Sequence, residues 1–277
     1  MLKFVAVNDY GNVSLTAAPQ TQSTKSPLIY GTITALTIEN TTNATGTLST
    51  AQAISNIIQD LVIEDSSNNQ ICDLAGVDIP YLAFALSNHG VFTASATAVA
   101  STNETDNYVL NWTIALKDQP VYIKLTLAPY SVLATSGATG GTADVKISAW
   151  YEDNPQAPVS SSPTFRLSRF DQGIVNGTTT LNNYLGQGLS TTHLMARVTD
   201  NTESAFTSVT IRATAQTQIE SQTLAELTSQ DTNAFQSGHQ TGFFVFPVSP
   251  FVPSGATVYQ VVGSASKTLR TFQFYVS

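Results

Sequence analysis

A single cysteine, Cys72, stands in the 277 residues, so no disulfide can form within the chain. That excludes the small secreted scaffolds that staple a minimal core with disulfides and is compatible with synthesis in a reducing compartment. Charge is scarce as well: 11% of residues are Asp, Glu, Lys or Arg, against about 25% in an ordinary globular protein. The eleven Lys and Arg are scattered and the net charge is −8. No basic stripe exists to neutralise a phosphate backbone, so nucleic acid is not an expected partner. No apolar run approaches the roughly 20 residues of a spanning helix. The opening Met1-Leu2-Lys3-Phe4-Val5-Ala6-Val7-Asn8-Asp9-Tyr10 has too short an apolar run for a signal peptide, and the expectation is cytosolic synthesis with exit by lysis or a non-Sec route.

Catalytic signatures are missing too. There is no Gly-x-Ser-x-Gly elbow, and a Ser-His-Asp triad, whose members need only meet in space, has no activating context here. Gly137-Ala138-Thr139-Gly140-Gly141-Thr142 lies between β-like runs and reads as a loop, not a phosphate cradle. The three histidines, His89, His193 and His239, have no Cys or second His at zinc spacing. Glu64-Asp65 and Glu152-Asp153 are the adjacent carboxylate pairs a glycosidase could use. Each falls at a strand end beside a turn, where solvated charges normally go. The oxygen-rich stretches Asn103-Glu104-Thr105-Asp106-Asn107 and Thr199-Asp200-Asn201 offer donors of the kind Ca²⁺ takes, with Glu104 and Asp106 as candidate ligands of a structural ion. They lack EF-hand spacing, and such stretches are commonly solvated turns. The sequons at Asn40, Asn43 and Asn111 are what an Asn- and Thr-rich chain produces by chance. No catalytic residue is assigned, and the chain reads as a non-enzyme.

What is present is β pattern. Hydrophobic residues make up 42% of the chain, too many for disorder, and the polar remainder is mostly Thr, Ser, Asn, Gln and Gly. A surface of hydroxyls and amides fits a secreted β protein, or one whose surface is consumed by contacts with its own copies. Thr32–Ile38 alternates as a half-buried strand should. Leu61–Asp65, Ser66–Asn69 and Gln70–Cys72 predict a hairpin with a polar turn. Tyr108–Leu116 and Val121–Leu127 predict two more strands, and Ser208–Arg212, Gly242–Phe246, Thr257–Val262 and the run to Val276 predict others. Trp112 and Trp150 lie in strand patterns that suggest core packing. Helical spacing over Ile54–Leu61, Ala75–Leu86 and Ser221–Phe235 predicts short helices in the connections.

These elements repeat. Ile63, Ile71, Leu74, Ser87 and His89 are echoed by Ile211, Ile219, Leu224, Ser237 and His239 at an offset of 148–150. Ala128-Pro129-Tyr130 and Val145–Tyr151 are echoed by Ser249-Pro250-Phe251 and Arg270–Val276 at an offset near 121–125. The period is too long for a solenoid and indicates two copies of one β domain, the first with about 25 extra residues after Phe92. The expected organisation is an N-terminal arm over 1–29, a first unit over 30–153, a Pro-rich linker over 154–163 and a second unit over 164–277. The linker assignment rests on Pro155, Pro158 and Pro163, which break any ladder.

Tandem β units joined by a Pro-rich linker, with a polar arm and no catalytic motif, resemble the double jelly-roll major capsid proteins of the tectivirus–adenovirus lineage. The likeness is greatest to the small coat protein of the corticovirus bacteriophages. It covers about residues 28–277 and rests on architecture, so no functional residue is carried over individually. The resemblance implies an all-β fold of two tandem eight-stranded jelly rolls with short connecting helices. It further implies homotrimers of pseudo-hexagonal outline tiling an icosahedral shell around an internal membrane, with sister chains and other virion proteins as partners. The arm would lie low, toward that membrane or an adjacent capsomer, with only Lys3 and Lys25 as cations, so lipid contact would be peripheral. The stretch from about Thr93 to Gln119 would be a loop or hairpin reaching a neighbour or the outer surface. The location would be the virion. The alternative is a secreted or surface β-sandwich binding module, an adhesin or carbohydrate-binding pair, which would carry an export signal and an exposed aromatic platform.

Overall fold

The computed structural model describes residues 2–28, 30–45, 54–87, 103–117, 119–133, 140–152, 164–181, 190–212, 218–246 and 258–276. The Pro-rich stretch 154–163, the segment 93–102, His89, Asp153 and Ser249-Pro250-Phe251 lie outside them. The chain divides between Thr164 and Phe165 into two compact units.

The first unit contains β1 (Leu2–Ser14), β2 (Gln20–Lys25), β3 (Tyr30–Thr45), β4 (Ile58–Glu64), β5 (Gln70–Leu74), β6 (Asn103–Leu110), β7 (Ile114–Lys117), β8 (Tyr122–Leu127) and β9 (Gly140–Glu152). One sheet runs β1-β9-β3-β6, with β7 also on β3; the other runs β2-β8-β4-β5. All pairings are antiparallel. Because β6 and β7 both edge β3, they act as one interrupted strand. The unit is then eight-stranded, with orders first-eighth-third-sixth and second-seventh-fourth-fifth.

The second unit repeats that order with β10 (Phe165–Ile174), β11 (Gly177–Leu181), β12 (Ser190–Val198), β13 (Phe206–Arg212), β14 (Gln218–Thr223), β15 (Phe243–Phe246), β16 (Val258–Gly263) and β17 (Lys267–Val276). Its sheets are β10-β17-β12-β15 and β11-β16-β13-β14. This is the jelly-roll order, two four-stranded sheets closed face to face. The expectation of two tandem jelly rolls holds, and β4 and β13 begin 148 residues apart, as the repeat requires.

Each core lies between its two sheets. Alternation sets which side chains enter: β8 places Ile123, Leu125 and Leu127 inside, and β9 places Val145, Ile147 and Ala149. In the second unit Phe206 stacks on Phe244 with ring centroids 4.6 Å apart, and Phe246 stacks on Tyr259 at 6.3 Å. Those pairs bridge opposite sheets, and burial pushes the Tyr259 hydroxyl up to about 12, with Glu220 adding to it. The predicted hairpin is β4–β5. Asp65 Oδ1 accepts from the backbone N–H of Ser67 and of Asn69, both at 2.9 Å, and Asn68 takes φ 61°. The side chain of Asp65 thus shapes the turn. The three predicted helices are α1 (Ile54–Ile57), α2 (Ile79–Leu86) and α3 (Leu224–Ala234).

Several expectations are corrected. The described residues of the expected arm over 1–29 belong to the sheets, because β1 pairs with β9 and β2 pairs with β8. Two register shifts and Gly11 at φ 58° break the alternation of β1. β2, Gln20-Thr21-Gln22-Ser23-Thr24-Lys25, has no apolar residue and is held by its ladder and a Thr21–Thr126 hydroxyl contact of 2.9 Å. The described part of 93–119, expected as a loop or hairpin, is instead two successive strands on β3: β6 and β7 continue the sheet and bury Tyr108, Leu110, Ile114 and Leu116, with Trp112 buried between them. Trp150 faces outward from β9, 38% exposed, because its neighbour Ala149 takes the inner face.

Gly263 closes the end of β16 so tightly that an added Cβ would lie 2.6 Å from the carbonyl oxygen of Val175 and 3.3 Å from that of Ala205. Backbone cannot yield as a side-chain tip can, so Gly263→Ala is expected to cost about 1–3 kcal/mol in urea unfolding. Gly173→Ala, with nothing within 4 Å, should stay within about 0.5 kcal/mol.

Candidate functional site

The polar side chains gather where the connections of the second unit meet. The turn between β12 and β13 runs through a 3₁₀ segment, Glu203–Ala205. Asn201 at φ 58° and Gly242 at φ 74° lie against each other, and a Cβ on Gly242 would come within 2.8 Å of Asn201 Cα. That approach lets Val198 N donate to Gly242 O at 2.8 Å, stitching the β14–β15 connection to this turn. The β16–β17 turn joins through Ser264, whose N donates to Ala205 O at 2.9 Å and whose Oγ donates to Ser204 O at 2.6 Å.

Helix α3 enters the same cluster. Its start is a capping box: Thr223 N donates to Glu226 Oε2 at 2.7 Å, and Glu226 N donates to Thr223 Oγ1 at 3.3 Å. The Thr223 N–H, and the Thr223 hydroxyl donating to the same oxygen at 2.9 Å, hold the Glu226 carboxyl below its usual range. One turn from the helix end, Asp231 points into the unit, its side chain only 3% exposed. His239, 9% exposed, stands between Asp231 and Glu203. Its Nε2 lies 2.9 Å from Glu203 Oε2 and its Nδ1 3.3 Å from Asp231 Oδ2. Gly242 N also donates to Glu203 Oε2 at 2.9 Å, and the Phe244 ring covers the imidazole at 5.7 Å.

Burial disfavours a charged imidazole, but its bonds to Asp231 and Glu203 outweigh that and raise the His239 pKa above the ordinary value. Burial raises the Asp231 carboxyl, against the pull of His239. The two ring nitrogens face different carboxylates, so they cannot converge on one metal ion. Among the described residues no group of three or more His, Cys, Asp or Glu is set to hold one.

The other sequence candidates fall elsewhere. Glu104 and Asp106 belong to β6, in register with Thr42 and Asn40 of β3; the expected oxygen-rich loop is a strand. Asp200 sits in the turn after β12, bound to Lys267 Nζ and to Thr202 N at 3.0 Å. Glu64 pairs with Lys124 at 2.7 Å, and Asp65 shapes the hairpin turn, so this carboxylate pair is structural. His193 lies on β12 opposite Phe274. Neither Glu203 nor Asp231 carries a local motif that would join it to a histidine. Outside the cluster, an open pocket of about 460 Å³ in the first unit is lined by Asn56, Ile58, Gln59, Ala75, Val77 and Val132. It offers no ionisable side chain.

With this geometry in hand, comparison with known proteins gives a consistent result. The fold is that of double jelly-roll capsid proteins. The chain matches the crystal structure of the major capsid protein of Sulfolobus turreted icosahedral virus over 100% of its own length and 96% of that chain, with a TM-score of 0.74 at 10% identity. It matches the major capsid protein P2 of bacteriophage PM2, a corticovirus, over 100% and 97%, with a TM-score of 0.67 at 10% identity. VP54 of PBCV-1 follows over 99% and 94%, at 0.57 and 11%. No protein-family model and no curated protein matches the sequence.

The turn after β12 gives a titration to check. Hydrogen bonds from Lys267, then from Thr202, hold Asp200 at about 2. A depressed folded value means the contribution is present above the ordinary carboxylate range and is lost as pH falls through about 2. In a carbon-detected NMR titration, Lys267→Met is expected to move Asp200 up toward about 3.9; an unmoved value would remove Lys267 as the leading cause.

Proposed function

We propose that this chain is the major capsid protein of an icosahedral virus, a structural and non-catalytic component of the virion. The observation that carries the reading is the match of both jelly rolls, over essentially the whole chain and nearly the whole of each partner, to major capsid proteins at TM-scores of 0.74 and 0.67. A likeness spanning two tandem domains is more demanding than a single shared sandwich, which serves many unrelated functions.

The chain then associates with its own copies. Three chains supply six jelly rolls in a pseudo-hexagonal unit, and these units tile a shell around an internal membrane, contacting other virion proteins at their margins. The scarcity of charge supports this: only 11% of residues are charged, and the cores of protein interfaces are depleted in Lys, Glu and Asp. The outward-facing pair Phe4 and Trp150, 48% and 38% exposed with ring centroids 4.8 Å apart, is an apolar surface available to a sister chain. Membrane contact falls to surfaces with few cations and is peripheral.

The test is the native mass by light scattering during size exclusion, with and without a chelator. A species of three 29.5 kDa chains is the expected result. Loss of that species on chelation would place a structural Ca²⁺ in the assembly, with Glu104 and Asp106 the first residues to replace. A monomer at every concentration would overturn the preformed trimer and favour the binding-module alternative.

A further inference from the structure

We propose that Glu203, His239 and Asp231 form a proton-operated latch, which fastens helix α3 and the turn after it to the β12–β13 turn while the cluster holds its proton and releases them when the proton is lost. The inference stands on the second unit alone and does not depend on the assembly reading.

The argument begins with donors. A neutral imidazole has one N–H and one lone pair; only the imidazolium donates from both nitrogens. Here both nitrogens face carboxylate oxygens, at 2.9 and 3.3 Å, and those oxygens come from two different elements. A single proton therefore decides whether the second contact is a hydrogen bond or a lone pair against a carboxylate. Placing that proton on Asp231 and leaving the ring neutral gives the same count, because the three groups share it. With the proton the cluster carries one net negative charge; without it, two carboxylates face each other across a covered ring.

The surroundings offer no substitute. On α3 the other acid near the cluster is Glu226, which is turned to the helix start by Thr223. On the β12–β13 turn Asp200 is engaged by Lys267, and Arg197 Nε donates to Asn201 Oδ1 at 3.2 Å. From β15 come the Phe244 ring and the backbone of Val245, which bonds Asp231. The charges acting on the imidazole are those of Asp231 and Glu203.

The sign follows. A histidine whose folded pKa is raised contributes stability fully below its ordinary value near 6.5 and loses it as pH rises through the folded value. The latch is closed in mild acid and opens in alkali. Opening is local, because α3 buries only Leu227 besides Asp231.

Two measurements on the full chain decide it. Nitrogen-15 NMR should show the His239 ring titrating above 6.5. Amide hydrogen exchange from pH 6 to 9.5, corrected for the intrinsic base-catalysed rate, should show protection in α3 and at Gly242 falling by up to about tenfold per pH unit between 6.5 and the raised folded value, then levelling off. Val209 and Val261, deep in the sheets, should show no such step. In His239→Gln the pH dependence should vanish. In Asp231→Asn the ring should titrate lower, which keeps the test available if His239→Gln fails to fold. A ring titrating at or below 6.5, or α3 protection unchanged to pH 9.5, would overturn the latch.

Discussion

Each jelly roll depends on its last strand entering between its first and its third. In the second unit β17 runs beside β10 from Val276 against Phe165 to Lys267 against Ile174, while its other edge pairs with β12. In the first, β9 is held by β1 on one side and by nearly the whole of β3 on the other. The partners of such a strand lie roughly a hundred residues away, so neither four-stranded sheet is complete until its unit closes. Pairing of this range is slow to form because loop entropy is lost before the contacts compensate. Once formed it leaves no independent half. The cross-strand pair Asp171–Arg270, joined at 2.7 Å through two guanidinium nitrogens, sits on the β10–β17 seam and helps fix its register.

That constraint explains what could be read from the chain beforehand. Strands paired along both edges, such as β8 and β9, carry a clean apolar alternation because one face is covered by the opposite sheet. The β4–β5 hairpin was visible through Asp65 and the Asn pair, and the repeat through aligned Ile and Leu. Edge strands are different. β2 needs only backbone partners on one side and its six residues are all polar, so hydrophobic reading sees an arm. β1 carries bulges that shift which face each residue takes, erasing the period. Glu104 and Asp106 looked like loop donors for the same reason: β6 begins at a polar edge. Trp150 shows the converse error, since a large apolar residue in a strand is placed by parity, not by size.

The histidine cluster was half legible. The match of His239 to His89 across the repeat marked the position as part of the turn architecture, and the structure places His239 within the connection that follows α3. Its partners were not legible, because Asp231 meets it only when α3 and the turn after it form, and Glu203 reaches it from the β12–β13 turn through the jelly-roll topology. The β12–β13, β14–β15 and β16–β17 connections meet only after β16 has paired with β13 and β17 with β12. Ser264 on Ser204, Lys267 on Asp200 and Gly242 on Asn201 are consequences of that meeting. In a chain with so few charges, a large share of those in the second unit sit at these turns.

The two units solve one problem by different chemistry. Both must anchor a helical connection between their fifth and sixth strands. In the first, α2 starts with Pro80 in its first turn and buries Ile79, Leu82 and Phe84, each contributing about 1.5–3 kcal/mol of hydrophobic stabilisation. In the second, α3 buries Leu227 and a carboxylate, and burying a carboxylate costs free energy unless a partner offsets it. His239 is that partner, and Glu203 ties the partner to the neighbouring turn. The same topology thus holds one connection by apolar area and the other by a shared proton. Anchoring strength in the second unit therefore varies with proton occupancy, a dependence that the apolar side chains of α2 do not themselves introduce.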